Sequence, residues 1–306
     1  MPALARPRSD HEILVIGEAL MDIISTPSGT KEHPGGSPAN VALGLARLGA
    51  RTSFLTALGP DARGEAIAAR LDTAGVAVMA ESWCLPATST AAAEIDDDGS
   101  ARYTFDVSWQ LRDEIQLPLA HHVHLGSIAA FVSPGADQAE ELLLRLRPEA
   151  TVSFDPNIRP ALVGDPAAAR KRFERIASMA DLVKLSDEDA EFLYPGHSPG
   201  DVVKAIAELG PISAVTRGAD GSLLLSAGDV VEVEPVQTVV VDTVGAGDSY
   251  MSALLWALLE AGRPQLEPLD DAELAAAGSF AARAAALTVS RAGAEPPTLK
   301  ELTEGI

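Results

Sequence analysis

The stretch Asp242-Thr243-Val244-Gly245-Ala246-Gly247-Asp248 is the part of this chain best suited to chemistry. A β-rich run leads into it, and an apolar helix carrying Met251, Leu254, Leu255, Leu258 and Leu259 leads out. Two glycines flanking an alanine let the backbone approach a ligand closely. Free N–H groups at a helix start point toward such a ligand, and the helix dipole favours negative charge there. The turn Gly245-Ala246-Gly247 therefore suits a phosphoryl group in transfer. Asp248, on the first helical turn, is placed to take a proton from an attacking hydroxyl. Electrostatic stabilisation and an oriented nucleophile are the main demands of phosphoryl transfer. On spacing alone a second reading stands beside this one: a turn that merely opens a helix, with Asp248 complementing its dipole.

A second stretch, Gly35-Gly36-Ser37-Pro38-Ala39-Asn40, can present polar groups to a sugar. Asp22, just after an early strand, can accept bonds from sugar hydroxyls as an ionised carboxylate. Alone, the stretch also fits an ordinary Gly-Gly turn with an asparagine at helix entry. In His121-His122-Val123-His124, His122 and His124 share one strand face. No Cys or further His follows at ligand spacing, so a strand-edge role is expected rather than metal binding. There is no Gly-x-x-x-x-Gly-Lys-Ser/Thr cradle. Gly17-Glu18-Ala19 stands where a dinucleotide fold would carry Gly-x-Gly-x-x-Gly, which speaks against a nicotinamide dehydrogenase.

Strands and helices must position these residues. Strands are expected at 13–16, 52–57, 123–125, 151–154, 182–185, 214–216 and 236–241, with a hairpin at 222–226 and 230–233. Helices are expected at 39–48, 61–73, 136–146, 167–180, 202–209, 246–261 and 272–289. Between the first and second halves, residues 88–95 and 101–107 read as two strands joined by Asp96-Asp97-Asp98-Gly99, a strong hairpin signal. The alternation predicts a mostly parallel sheet with helices on both faces and the early hairpin as an inserted lid. Tyr103 and Phe105 form an apolar stripe on that lid, which suggests a lid-to-lid homodimer.

Composition narrows the partners. A net charge of −21 over 306 residues speaks against nucleic acid. No apolar run approaches the ~20 residues that span a bilayer, and residues 1–10 lack the apolar core of a secretory signal. Neither a membrane nor export is expected. The single cysteine, Cys84, suits a reducing cytoplasm.

Together these segments resemble the ribokinase (PfkB) family of carbohydrate kinases, over about Ile13 to Pro297. Gly35-Gly36, Asn40, Gly49 and Gly59-x-Asp61-x-x-Gly64 resemble its N-terminal signature, and the Asp242–Asp248 run its C-terminal one. The resemblance implies a ribokinase-like three-layer αβα fold with a mostly parallel central sheet. It implies one kinase domain over 11–300, with a β lid from about 12–40 and 85–108. It implies ATP and Mg²⁺ as cofactors, with K⁺ as a candidate activator. By the same resemblance Asp248 is the catalytic base and Gly245, Ala246 and Gly247 the anion hole. Asp22, Gly35, Gly36 and Asn40 bind sugar, and Thr216, Gly218, Gly221, Lys184 and Ser186 bind nucleotide. Asp242, Val244 and Gly293 match a monovalent-cation site.

Two departures bear on that mapping. The family's Asn-x-x-Glu motif, which organises Mg²⁺ through water, reads Ser186-Asp187-Glu188-Asp189, leaving Asp189 with a shorter carboxylate. Ala282 stands where relatives often carry Asn near adenine. The runs His124–Ser127, Asp155–Pro160 and Lys184–Glu188 look most like bacterial fructokinases. Arg159, in a loop after a strand, either steadies a sugar hydroxyl or phosphate oxygen or forms a salt bridge. Fructose is the expected substrate. Ribose, a 2-keto-3-deoxygluconate-type acid or a nucleoside are alternatives, and a non-catalytic sugar or nucleotide sensor is the alternative of another class.

Overall fold

The computed structural model describes residues 12–26, 29–95, 101–260 and 265–304. The first ten residues and the Asp96–Gly99 turn lie outside them. The chain begins with β1 (Glu12–Ile16), β2 (Leu20–Thr26), β3 (Gly29–Gly35) and α1 (Ser37–Arg47). Next come β4 (Arg51–Leu55), α2 (Ala62–Thr73), β5 (Val76–Val78), β6 (Thr90–Ile95) and β7 (Ala101–Asp106). The middle holds β8 (His122–Gly126), α3 (Gly135–Leu146), β9 (Thr151–Asp155), α4 (Pro160–Val163), α5 (Pro166–Ala177), β10 (Leu182–Ser186), α6 (Asp187–Leu193) and α7 (Pro199–Ala207). The last part holds β11 (Ile212–Thr216), β12 (Ser222–Leu225), β13 (Val231–Val233), α8 (Ala246–Glu260), α9 (Asp271–Val289) and α10 (Leu299–Glu304).

Nine strands form the main sheet in the order β13-β12-β11-β10-β9-β8-β1-β4-β5. Every neighbouring pair from β11 to β5 is parallel, and β12 and β13 add an antiparallel edge. The chain winds outward from β1 one way, then from β8 the other, so β1 and β8 flank the topological switch point where α/β sheets place their ligands.

The strands are apolar on both faces because helices cover both. Val41, Leu45, Met251, Leu254, Leu255 and Phe280 pack one face through α1, α8 and α9. Leu142, Leu143, Phe173, Ile176, Val202 and Ile206 pack the other through α3, α5 and α7. The result is the expected three-layer αβα arrangement with a mostly parallel centre. A second sheet of four strands, β3-β2-β6-β7, stands apart from the first. β2 pairs β3 and β6 pairs β7 antiparallel, while β2 and β6 run parallel.

Asp61 anchors this second sheet. Its carboxylate caps α2 by accepting from Gly64 N at 2.9 Å, and it also takes Thr88 N at 2.7 Å, two residues before β6. Half of the N-terminal signature thus serves architecture.

Two sequence expectations are corrected here. Residues 236–241 are not a strand, although Val236, Val239, Val240 and Val241 favour one. β13 already closes the sheet edge and Pro235 follows it closely, so the segment gains only a few backbone bonds, among them Val241 N to Val289 O at 2.8 Å. The valines stay in solvent, Val239 at 80% exposure. The second correction concerns His122 and His124, which lie on an interior strand, fully buried, rather than at an edge. β9 supplies their partners: Thr151 Oγ1 meets His122 Nδ1 at 2.7 Å, and Ser153 Oγ meets His122 Nε2 at 2.8 Å and His124 Nδ1 at 2.9 Å. Burial holds both rings neutral, with pKa values near 3.

Candidate active site

The site lies along the C-terminal ends of the parallel strands, between the two sheets. α8 begins at Ala246, so the Gly245-Ala246-Gly247 turn is its N-terminus and Asp248 its third residue. Gly245 takes φ of 77°, and a Cβ there would fall 2.6 Å from Ala294 Cβ, so only glycine fits. Asp248 is buried, and both carboxylate oxygens are held by α1. Ser37 Oγ donates to Oδ1 at 2.6 Å and Asn40 Nδ2 to Oδ2 at 2.9 Å. Burial raises its pKa, while these two donors and the charges of Lys184 and Arg159 pull against that rise.

Gly36, φ 104°, turns the chain from β3 into α1. A Cβ there would meet Glu18 O at 2.6 Å, and one on Gly35 would strike the Asp22 carboxylate. The glycine pair therefore leaves Asp22 room beside the entry to α1. The Asp22 pKa is raised to about 6: burial lifts it most, Arg159 and His33 oppose, and nearby Asp248 adds to the rise. Arg159 also lowers the pKa of Glu18, so its positive charge favours the ionised forms of Glu18, Asp22 and Asp248 alike. Its hydrogen-bond partners are Asn157 Oδ1 at 2.8 Å and the carbonyls of Ile158 and Asn157 rather than an acid, so no salt bridge holds it among the described residues.

Lys184 and Asp155 form a buried ion pair at 3.0 Å on β10 and β9. Burial works against the ammonium, but Asp155, Asp189 and Asp248 outweigh it and hold the lysine pKa above its ordinary value. Burial pushes Asp155 up to about 6, against the pull of Lys184. Lys184 Nζ would lie 3.1 Å from a Cβ on Gly247, so the charge sits directly against the glycine turn.

Ser186 and Thr216 are register partners at the ends of β10 and β11. Ser186 caps α6 in a capping box with Asp189. Asp189 accepts from Ile158 N at 2.7 Å and Ser186 N at 3.0 Å. Each of its oxygens keeps a lone pair for a metal-bound water. Among the described residues no cluster of three His, Cys, Asp or Glu forms a metal cage. Gly218, φ 53°, faces open space. Gly221 packs against Val233 O, which gives it a turn role beside β13. Asp242 ties Val244 N at 3.0 Å to Gly293 N at 2.8 Å, so the three residues of the expected cation site form one hydrogen-bonded unit.

Two residues escaped the sequence reading. Ser37 makes the shorter bond to Asp248, and its signal was only its place between Gly36 and a helix-opening Pro38. Glu18 follows β1 at the switch point, accepts from Ala129 N at 3.2 Å, and is buried so fully that its pKa rises to about 8.

The chain is 32% identical over 297 residues to a fructokinase of Escherichia coli, covering 92% of this chain and 94% of that protein. A fructokinase double mutant of Vibrio cholerae O395, solved with fructose, ADP and a potassium ion, superposes with a TM-score of 0.84 at 26% identity, covering 98% and 99% of the two chains. The aminoimidazole riboside kinase of Salmonella enterica, solved with aminoimidazole riboside and an ATP analogue, superposes at 0.80 with 26% identity, covering 96% and 99%. The model of the pfkB family of carbohydrate kinases matches residues 10–301, and this chain belongs to that family.

Proposed function

We propose that this carbohydrate kinase transfers the γ-phosphoryl group of ATP to a hydroxyl of fructose, with Asp248 as general base. The observation that carries the mechanism is the clamping of Asp248 by Ser37 and Asn40 beside a glycine turn that faces Lys184. The fructokinase relatives support the choice of sugar.

Fructose sits between Asp22, the Gly35–Gly36 turn and Arg159, and Asp22 accepts from its hydroxyls. Asn40 acts on the sugar side through Asp248, whose orientation it fixes. The attacking hydroxyl gives its proton to Asp248 as its oxygen bonds to phosphorus and the bond to the ADP oxygen breaks. The amides of Gly245 and Gly247 and the ammonium of Lys184 stabilise the charge on the transferring group without reorganisation at the moment of reaction, whereas Ala246 N already donates to Thr243 O at 3.3 Å. Lys184, Ser186 and Thr216, with the loop of Gly218 and Gly221, line the nucleotide side. Mg²⁺ bound with ATP supplies charge neutralisation at the phosphates, and Asp189 is the residue that would orient its waters. Asp242, Val244 and Gly293 hold the loop where a monovalent cation would bind.

We infer that the small sheet closes over the sugar and also joins two copies. Phe105 pairs in register with Ala91, and Ala91 with Asp22, so Phe105 shares the sheet face of Asp22. A single cysteine agrees with a cytoplasmic enzyme. Among the described residues no helix is long and apolar enough to cross a membrane. A riboside is the second candidate substrate, because the riboside kinase superposes over nearly the whole chain. The test is ADP release with ATP and Mg²⁺ across fructose, glucose, ribose, 2-keto-3-deoxygluconate, adenosine and aminoimidazole riboside. Strong turnover on fructose alone is expected. Turnover on another member overturns the substrate, and sugar binding without turnover on any member overturns the kinase reading in favour of a sensor.

A further inference from the structure

Arg70, near the end of α2, touches neither Asp248 nor Lys184 among its hydrogen bonds, yet it joins the two halves of the site. Its Nη1 donates to Pro34 O at 2.7 Å, the carbonyl next to the Gly35–Gly36 turn. Its Nη2 donates to Ala294 O at 2.5 Å and to Glu295 Oε1 at 3.0 Å. Ala294 is the residue packed against Gly245 of the anion turn. One residue earlier, Gly293 N is bonded to Asp242, which also holds Val244. Glu295 is gripped from the far side by Arg47 at 2.6 Å, so the acceptor end of this strap is fixed to α1. A single guanidinium thus spans the strand that ends at the sugar turn and the loop that backs the phosphoryl turn. Arg suits this place because its planar fork fixes two acceptors in one geometry, which a lysine ammonium cannot do.

We propose that Arg70 is a positioning residue that couples sugar binding to nucleotide binding. A shift of Pro34 as a sugar settles on Gly35–Gly36 pulls on the same side chain that sets Ala294 against Gly245. Each ligand then favours the arrangement the other needs. This inference rests on the carbohydrate-kinase reading and adds the route by which the two subsites communicate.

The coupling is measured by titrating fructose into the full chain with and without saturating ADP, using calorimetry. Coupling between sites is typically about 5- to 150-fold in affinity. We expect at least about fivefold in the unmodified protein, falling below about twofold in Arg70→Met, while each ligand's own Kd moves by less than about threefold. A residue with a merely structural role would weaken folding or both affinities without erasing the coupling. If Arg70→Met does not fold, Arg70→Lys decides the matter: it keeps the charge and stem but not the fork, and should lose the coupling too. Full coupling retained in the folded variant, or no coupling in the unmodified protein, overturns the proposal. Absence of fructose binding in both proteins would sink the choice of sugar and not the strap. Hydrogen exchange then reads the strap alone. ADP should slow exchange over residues 35–40 in the unmodified protein and not in the variant, and equal slowing in both overturns it.

Discussion

Replacing Asp248 by Asn removes the proposed base while keeping the shape of the side chain. The Ser37 hydroxyl can still donate to the new amide oxygen, but Asn40 Nδ2 then faces an NH₂ group instead of Oδ2, so one of the two bonds described is lost. A lost bond to a charged group costs about 1.5–3 kcal/mol. Against that stands the removal of a buried charge whose pKa is already raised by burial. The two effects oppose, and the variant should unfold within about 1 kcal/mol of the parent. Turnover should fall by about 10²–10⁴-fold, the usual share of general-base catalysis. Fructose affinity should change by less than about threefold, because Asp22, Arg159 and the Gly35–Gly36 turn are untouched. Steady-state ADP release and calorimetric sugar binding on the same preparation separate these quantities. Turnover within a few-fold of the parent, with sugar binding intact, would refute the assignment of Asp248.

Three further outcomes follow from the same geometry. Lys184→Met strands Asp155 as an unpaired buried carboxylate and should cost about 3–5 kcal/mol by chemical denaturation, whereas adding Asp155→Asn should restore stability without restoring the KM for ATP. A double variant that regains nucleotide affinity would argue against Lys184 as a phosphate ligand. Asp22 accepts sugar hydroxyls most strongly when ionised, so the KM for fructose should rise as pH falls through about 6, and Asp22→Asn should flatten that dependence while raising KM at neutral pH. His122 and His124 have folded pKa values near 3, below the unfolded 6.5, so their contribution is intact above 6.5 and is lost as pH falls toward 3. At pH 5 each should cost about 2 kcal/mol relative to pH 7. His122→Gln should remove that share of the acid slope in urea unfolding, and an unchanged slope would contradict neutral burial.

The Gly245–Asp248 turn was legible in sequence because its chemistry is local: a glycine turn, a helix start and a carboxylate within four residues. The parallel sheet was legible from the alternation of short apolar runs and amphipathic helices. Ser37 was not, because its role depends on a partner that only the closed sheet brings near. The valines of residues 236–241 misled because intrinsic preference for extended backbone says nothing about whether a sheet edge is free. The histidines of β8 misled in the same manner: that they are interior depends on β9 offering Thr151 and Ser153 in register. Glu18 stood in the sequence only where a dinucleotide glycine was missing, and burial at the switch point is what raises its pKa to about 8.

The bonds from Ser37 and Asn40 to Asp248 close loops of 211 and 208 residues. During synthesis at about 5–20 residues per second, the residues that clamp the base exist for some ten to forty seconds before the base itself is made. A partly synthesised chain that ends before α8 has neither the glycine turn nor the carboxylate, so on the proposed mechanism it cannot spend ATP. On that mechanism activity appears only when α8 docks onto α1, so docking of this late helix would be both a folding step and the switch that turns the catalyst on.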